Sequence, residues 1–595
     1  MISNLINLAL RQRLLILLIF TLIGLWGIRS MLELRIDAFP DVTNNQVQVL
    51  TEARGLAPVE VEKLVTYPIE VAMQGLPDVV EIRSTSKFAL SVVTVVFEED
   101  VNPYFARQLV FERLQQAEAQ FPKGLAKPAL GPMTSGMGEI YMYTLESQGK
   151  ADAGARGSEI SARGSEISAR GSEIMELRTL QDWVVKPQLR TIAGVTEVNS
   201  FGGLVKQIQV LIDPDKLVSH GLSFHQVLEA LEQTSSIAGG NFIEHNKEQF
   251  IVRGLGLAEN LDDVRNTVIT TNDDVPLFVK DIATVELGPE VRQGAVTANA
   301  DGEVVSGIVM MLRGENSRAV IERVKKKVAE INASLPEGVT IKPYYDQTDL
   351  VNKTIRTVET NLLEGGLLVV IVLFVFLRNV KAALLVAATI PLSMLFAFIG
   401  MNWLGLSANL MSLGAIDFGL VVDGSVVMVE NAMRRLSMPE NQGKSRFEII
   451  KESAQEVGMP IFFGVLIIIL VYLPILTLQG MEGKMFVPMA LTVGFALIGS
   501  LLIALTLIPV LATWVLPKHV EEKPEPVMDR LKAGYRRSLQ AVMGRRVLTV
   551  SVAFGIFLAS LMLVPKLGTE FLPEWDEGSI AIQAIRLPSI SLTES

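Results

Sequence analysis

The 595-residue chain contains no cysteine. Disulfides, zinc–thiolate sites and thiol catalysis are thereby excluded. Histidine is scarce too: His220, His225, His245 and His519 are the whole set. Any metal chemistry rests on carboxylates, with Met or His as helpers. Asp and Glu oxygens suit harder or borderline divalent ions better than soft monovalent copper or silver. Charged residues make up 20% of the chain, below the soluble average of about 25%. The formal charge of −11 is mild for this length and argues against nucleic acid as the main partner. Residues 33–355 hold no apolar run of membrane length, whereas 49% of the whole chain is hydrophobic. That combination predicts membrane helices plus a large aqueous domain.

The membrane segments are legible by hydropathy. Arg11 and Arg13 precede an apolar run over 14–32 that is not followed by an A-x-A-like site, so it reads as an anchor rather than a cleaved signal. Further spans are expected at 362–377, 382–404, 411–432, 458–478, 485–516 and 547–566. The basic links, with Arg378 and Lys381 in one and Arg434, Arg435, Lys444, Arg446 and Lys451 in another, fall on the side of Arg11 and Arg13. The positive-inside rule makes that side cytoplasmic. The expected order is a cytoplasmic 1–13, span 14–32, an aqueous domain 33–355, spans within 356–516, a cytoplasmic linker 517–546, span 547–566 and a second aqueous segment from 567.

Inside 33–355 strands and amphipathic helices alternate. Strands are predicted at 47–51, 88–97, 207–212 and 304–312, and helices at 58–74, 104–120, 224–232 and 318–331. Units of this size suggest repeated split βαβ subdomains. One segment stands apart. A heptad, ARGSEIS, starts at Ala155 and Ala162 and again at Ala169 with Met175 in last place. One Ile per heptad cannot make a two-position seam, so 155–174, within an insert at 151–175, is expected to be a duplicated flexible surface loop.

The most informative stretch is 417–431, DFGLVVDGSVVMVEN. Three carboxylates lie in a segment otherwise apolar enough to span a bilayer. Each costs about 2.5–3.5 kcal/mol near the bilayer centre, a burden associated with proton or ion movement. On a continuous helix Asp417 and Asp423 lie about 9 Å apart along the axis and about 120° around it. Asp423 and Glu430 lie about 10.5 Å apart and nearly on one face. Such a ladder suits stepwise protonation; the competing reading is capping or hydrogen bonding to neighbouring helices, with Glu430 snorkelling to the interface. An intramembrane aspartyl protease is excluded, because its two carboxylates share a proton at about 3 Å.

The same stretch resembles the fourth membrane helix of the heavy-metal-efflux branch of the resistance-nodulation-division (RND) superfamily. Further matches are 36–44 (IDAFPDVTN), 136–140 (GMGEI) and 568–578 (GTEFLPEWDEG). The chain also repeats itself: basic pair, apolar helix, acid, Phe and Pro recur at 34–40 (LRIDAFP) and 567–573 (LGTEFLP). The resemblance therefore implies an RND transporter fold, the first half plus the start of a second repeat, in a truncated chain. It implies a multi-pass protein of the bacterial inner membrane with its large domain in the periplasm. It further implies a homotrimer working with a periplasmic adaptor and an outer-membrane channel. No cofactor is implied; the proton motive force drives the exchange and a divalent metal ion is the substrate.

By the same match, Asp417, Asp423 and Glu430 take the proton-relay role and Glu139 the place of a periplasmic metal carboxylate. The leading Asp of the pattern points to the zinc, cobalt, cadmium or nickel pumps, as does Leu587 before Pro588 and Ser589, where copper and silver pumps carry Met. A copper, silver or drug exporter and an inactive fragment are the alternatives. Met133 and Met137 are expected to pack, and His220, His225 and His245 to be surface residues. The triplicated heptad is no part of the family pattern.

Overall fold

The computed structural model describes residues 2–595 except 38–39, 123, 148–168, 235–237, 255, 273–274, 293, 300–301, 378, 415, 442, 518–525, 567, 569–578 and 588–589. The chain forms two units, Met1–Val42 with Asp349–Arg586, and Thr43–Thr348 with Leu587–Ser595.

The first unit opens with α1 (Ile2–Arg11) and α2 (Arg13–Glu33). α1 is amphipathic and buries Ile6, Ala9 and Leu10. α2 is apolar all round, as a span should be, and is buried only at Gly27 and Ser30.

The second unit contains two sheets of one topology. β1 (Gln46–Glu52), β2 (Val79–Lys87), β3 (Leu90–Phe97) and β4 (Lys127–Leu130) pair in the order β2-β3-β1-β4, each neighbour antiparallel. A helical stretch over 58–73 joins β1 to β2, and α3 (Pro103–Glu118), capped by Asn102, joins β3 to β4. This is a complete split βαβ fold. Its core lies between the helices and the inward face of the sheet, where Val49, Val93, Ile69, Met73 and Val110 are fully buried. The predicted start of β3 at Phe88 is two residues early. Phe88 and Ala89 form the hairpin turn, and Ala89 takes a φ of +61° that strand pairing does not allow.

The second sheet repeats the plan across a long insertion. β5 (Glu139–Ser147), β6 (Val195–Phe201), β7 (Val305–Met311) and β8 (Val339–Asp346) pair in the order β8-β5-β7-β6. The helical stretch opened by α4 (Ala169–Leu180) and the helix α5 (Ser317–Ser334) supply the crossovers. Between β6 and β7 lie, among the described residues, four two-stranded ladders, among them 206–212 with 283–289 and the hairpin 238–254. α4 corrects the reading of the heptads. The third copy, from Ala169, is helix, because Ile174, Met175 and Leu177 find a core to enter. The copies over 155–168 lie outside the described residues.

A buried polar chain runs through this core. The Tyr143 hydroxyl donates to Gln181 Oε1 at 3.0 Å, Gln181 Nε2 donates to Ser200 Oγ at 3.2 Å, and Ser200 Oγ donates to Asp182 at 2.6 Å. Burial pushes the Tyr143 hydroxyl well above its ordinary pKa. Its ring lies where a side chain on the paired Gly307 would go: a Cβ there would stand 2.2 Å from the ring.

The first unit resumes with α6 (Gln347–Leu377), whose apolar stretch is Leu363–Phe376. It continues through Val380–Ala387, α7 (Thr389–Trp403), α8 (Leu410–Gly414), α9 (Phe418–Ser437), α10 (Arg446–Tyr472), α11 (Gly480–Leu502) and α12 (Arg546–Leu563). Among the described residues six stretches are long and apolar enough to cross a membrane: Arg13–Glu33, Val380–Trp403, Met411–Ser437, Arg446–Thr477, Gly480–Val515 and Arg546–Lys566. Glycines set the closest helix crossings. A Cβ on Gly27 would meet Leu395 at 2.6 Å, on Gly400 Phe495 at 2.5 Å, and on Gly499 Phe396 at 2.7 Å. Small residues let apolar helices approach where no water-driven force separates lipid from protein.

Candidate functional site: the carboxylate helix

α9 packs against α7, α10 and α11 within the first unit. It buries Val421, Val422, Gly424, Ser425, Met428, Val429, Asn431 and Ala432 against its neighbours. Gly424 makes the tightest approach, with a Cβ there 3.0 Å from Ile461 on α10 and 3.5 Å from Ala504. Thr389 and Ser425, both fully buried, share a hydroxyl bond of 3.0 Å, and Ser500 Oγ donates to the carbonyl of Val421.

The opposite face carries the charged side chains. Asp423, Glu430 and Arg434 are exposed, and Leu420 and Val427 between them are half-buried. These positions step by three and four residues and so form one stripe. The expected alignment of Asp423 and Glu430 on a common face therefore holds in the helix.

Asp417 differs from the expected geometry. It is not inside the helix but is its N-cap, with φ −84° and ψ 111°, and its carboxylate accepts from the Gly419 backbone N–H at 2.8 Å. The physical reason is that four N–H groups at a helix start lack partners, and a carboxylate satisfies them and the positive end of the dipole. The capping alternative thus describes Asp417, while its exposed carboxylate still stands at the mouth of the Asp423 and Glu430 stripe.

At the other end a network missed in the sequence joins α9 to α10. Asn431 Nδ2 donates to Ser453 O at 3.2 Å, Ser453 Oγ at 3.0 Å and Glu456 Oε2 at 3.0 Å, while Arg434 donates to Asn431 Oδ1 at 2.8 Å. Arg435 reaches Glu456 at 2.8 Å and Glu452 at 3.1 Å, and Lys444 caps Glu452 at 2.9 Å. The signal was present: Glu448, Glu452 and Glu456 recur every fourth residue among the basic residues of that link.

Glu139 lies in the second unit as the first residue of β5 and is exposed. It lines a cavity of about 270 Å3 with Thr43, Met133, Thr134, Met310 and Arg313. Met310 is its cross-strand partner on β7, and the Met310 sulfur accepts from Asn199 Nδ2 at 3.0 Å. Met133, expected to pack, is thus a cavity residue, and Met310 was not anticipated. Arg107, at the same cavity, donates to the carbonyl of Gly131 at 2.6 Å, and burial lowers its pKa. Among the described residues no group of three or more His, Asp or Glu side chains converges as a metal cage. His220, His225 and His245 are exposed.

Comparison with known proteins agrees with this architecture. The AcrB/AcrD/AcrF family matches residues 5–595, and the chain belongs to that family, in the heavy-metal-efflux branch of the RND superfamily. It is 45% identical to Protein HelA of Legionella pneumophila over 601 residues, covering 100% of this chain and 56% of HelA. It is likewise 45% identical, over 602 residues, to the cobalt-zinc-cadmium resistance protein CzcA of Cupriavidus metallidurans, covering 100% of this chain and 55% of CzcA. The crystal structure of a heavy metal efflux pump superposes with a TM-score of 0.80 at 37% identity, over 96% of this chain and 53% of that one. The chain spans about half the length of the curated relatives it matches.

Proposed function

We propose that the chain is part of a proton-driven antiporter that exports divalent heavy-metal cations of the zinc, cobalt, cadmium and nickel class. One observation carries the reading: two carboxylates, Asp423 and Glu430, share an exposed stripe of a span-length apolar helix. Asp417 at its capped mouth takes protons from the outer side, Asp423 carries them at mid-span, and Glu430 hands them on near the basic end. The acceptor stripe of α9 is where the charged groups of a second repeat would pack. Glu139 offers the metal a carboxylate in the second unit, on the periplasmic side. The pump works as a homotrimer in the inner membrane, with a periplasmic adaptor and an outer-membrane channel. Its relative CzcA is named for resistance to cobalt, zinc and cadmium, which supports the divalent class.

The test is Asp423→Asn in the full-length transporter. Asn is nearly isosteric but cannot carry a proton. Proton-gradient-driven metal uptake into inverted vesicles is expected to vanish with trimer assembly intact; undiminished uptake overturns the reading. A second reading, export of monovalent copper or silver, is favoured by the thioethers Met133 and Met310 beside Glu139, since soft ligands select soft ions. Cells protected against silver but not zinc would decide for it.

A further inference from the structure

Arg107 is a half-buried guanidinium that pairs with no carboxylate among the described residues. Its side chain makes one hydrogen bond, from Nη1 to the carbonyl of Gly131 at 2.6 Å, which leaves Nε and Nη2 without a protein acceptor. α3 fixes it in place, because Ala106 and Val110 on either side of it are fully buried in the sheet core. A charge held out of water without a partner is costly, so the site favours an anion. Glu139 faces the same cavity of about 270 Å3. It too has no side-chain hydrogen bond or ion pair among the described residues. Opposite charges thus line one cavity and do not pair with each other. Arg313 lines it as well, and its Nη2 donates to the carbonyl of Thr43 at 3.1 Å. The wall therefore carries two guanidiniums against one carboxylate, a balance that repels a bare dication. It is also pinned: Gly136 N–H donates to Thr43 Oγ1 at 2.6 Å and Gly131 N–H to Gln48 O at 2.7 Å.

We propose that this cavity is a two-pole site that takes a divalent cation as its complex with a small polycarboxylate: Arg107 binds a carboxylate of the anion and Glu139 binds the metal. The inference rests on the reading of Glu139 as a metal carboxylate. Nε and Nη2 form the edge of the guanidinium that matches a carboxylate in two parallel N–H···O bonds, while Nη1 stays on Gly131. The anion supplies the metal with oxygens that Glu139 alone does not, and such ligands suit borderline divalent ions. Charge fits as well. The one-to-one complex of a dication with a tricarboxylate carries one negative charge, opposite to the sum over Arg107, Arg313 and Glu139. Size fits too: the cavity is smaller than the roughly 300–1,000 Å3 of drug-sized pockets and suits a small acid.

Equilibrium dialysis of the chain in lipid nanodiscs, with labelled zinc and labelled citrate, tests this. In the native chain each ligand should be held about tenfold more tightly when the other is present. Acetate, which cannot bridge the metal and Arg107, should give zinc no such gain. Arg107→Met should remove the mutual gain, and Arg107→Lys, which keeps the charge without the fork, should restore part of it. Glu139→Gln should remove the gain that zinc gives citrate. Thermal unfolding of each variant shows whether the fold is kept, and the native comparison of citrate with acetate stands without any variant. An absent mutual gain in the native chain, an equal gain with acetate, or a full gain in folded Arg107→Met overturns the proposal. Zinc that needs Glu139 but gains nothing from citrate overturns this inference alone and leaves the metal reading standing. Zinc binding indifferent to Glu139→Gln overturns both.

Discussion

The side-chain amide of Asn431 donates to the carboxylate of Glu456 at 3.0 Å and thereby joins α9 to α10 beside Glu430. Asn431 is buried, its amide N–H groups face Ser453 and Glu456, and its Oδ1 accepts from Arg434. Asn431→Ala strips Ser453 and Glu456 of a donor and Arg434 of an acceptor. The expected cost is about 1–3 kcal/mol, read as a lower unfolding temperature in detergent. Glu456→Gln keeps the Asn431 bond and the shape, so its loss should be smaller. Equal losses in the two variants would mean that the ion pair with Arg435, not the Asn431 amide, holds the helices together.

A second expectation concerns the Tyr143–Gln181 pair in the sheet unit. Tyr143→Phe removes the hydroxyl that donates to Gln181 Oε1, and Gln181 is fully buried. An unsatisfied buried acceptor costs about 1–3 kcal/mol. Gly307→Ala acts on the same ring by overpacking, since its Cβ would stand 2.2 Å away, and such insertions cost about 1–3 kcal/mol. Because both act through one ring, the double variant should lose less than the sum. Simple additivity in thermal unfolding would show the two effects to be independent.

Much of this arrangement was legible in the sequence, for physical reasons that differ by element. Periodicity located β1, α3 and α5, because alternating and 3.6-residue patterns follow directly from which face is buried. Asp423 and Glu430 were legible because carboxylates in an apolar run have few explanations. The second split βαβ fold was hidden, since β5 and β6 stand before the insertion and β7 and β8 after it. Pairing across that gap has no local signature. The composition of the third heptad carries no sign of its helix. Ile174 and Met175 become helix only when a core receives them. Asp417 as a cap was foreseeable, since Asp two residues before a Gly is a common helix start, but hydropathy merged it with the span. Met310 was invisible beforehand: its place beside Glu139 is set by strand register alone.

The pH dependence of Asp37 has a definite sign. Its folded-state pKa lies above the ordinary 3.8, chiefly through burial. A raised acid binds more protons folded than unfolded between the two values, so its contribution weakens the fold as pH rises through that window. Above the folded pKa the penalty is complete; below 3.8 it is absent. Asp37→Asn removes the charge. The variant should therefore unfold at a higher temperature than the native chain at neutral pH, with the gap closing as pH falls toward 3.8. A gap that stays constant with pH would show that the substitution acts by packing alone.

The last expectation concerns how Asp423 is held. Its neighbour Gly424 lies close against Ile461 of α10 and against Ala504: a Cβ there would stand 3.0 Å from Ile461 and 3.5 Å from Ala504. Gly424→Ala requires the Ile461 side chain to yield by a few tenths of an ångström. Gly424→Val adds two methyl groups in the same place and should cost about 1–3 kcal/mol by forcing the helices apart. The push acts on the backbone one residue from Asp423, so transport should fall further than stability does. Ile461→Ala opens the matching space. If contact with Ile461 is the cause, Gly424→Ala combined with Ile461→Ala should be more stable than the sum of the single effects predicts. Strict additivity of the pair in thermal unfolding would place the constraint elsewhere, at Ala504, and would separate the seat of Asp423 from α10.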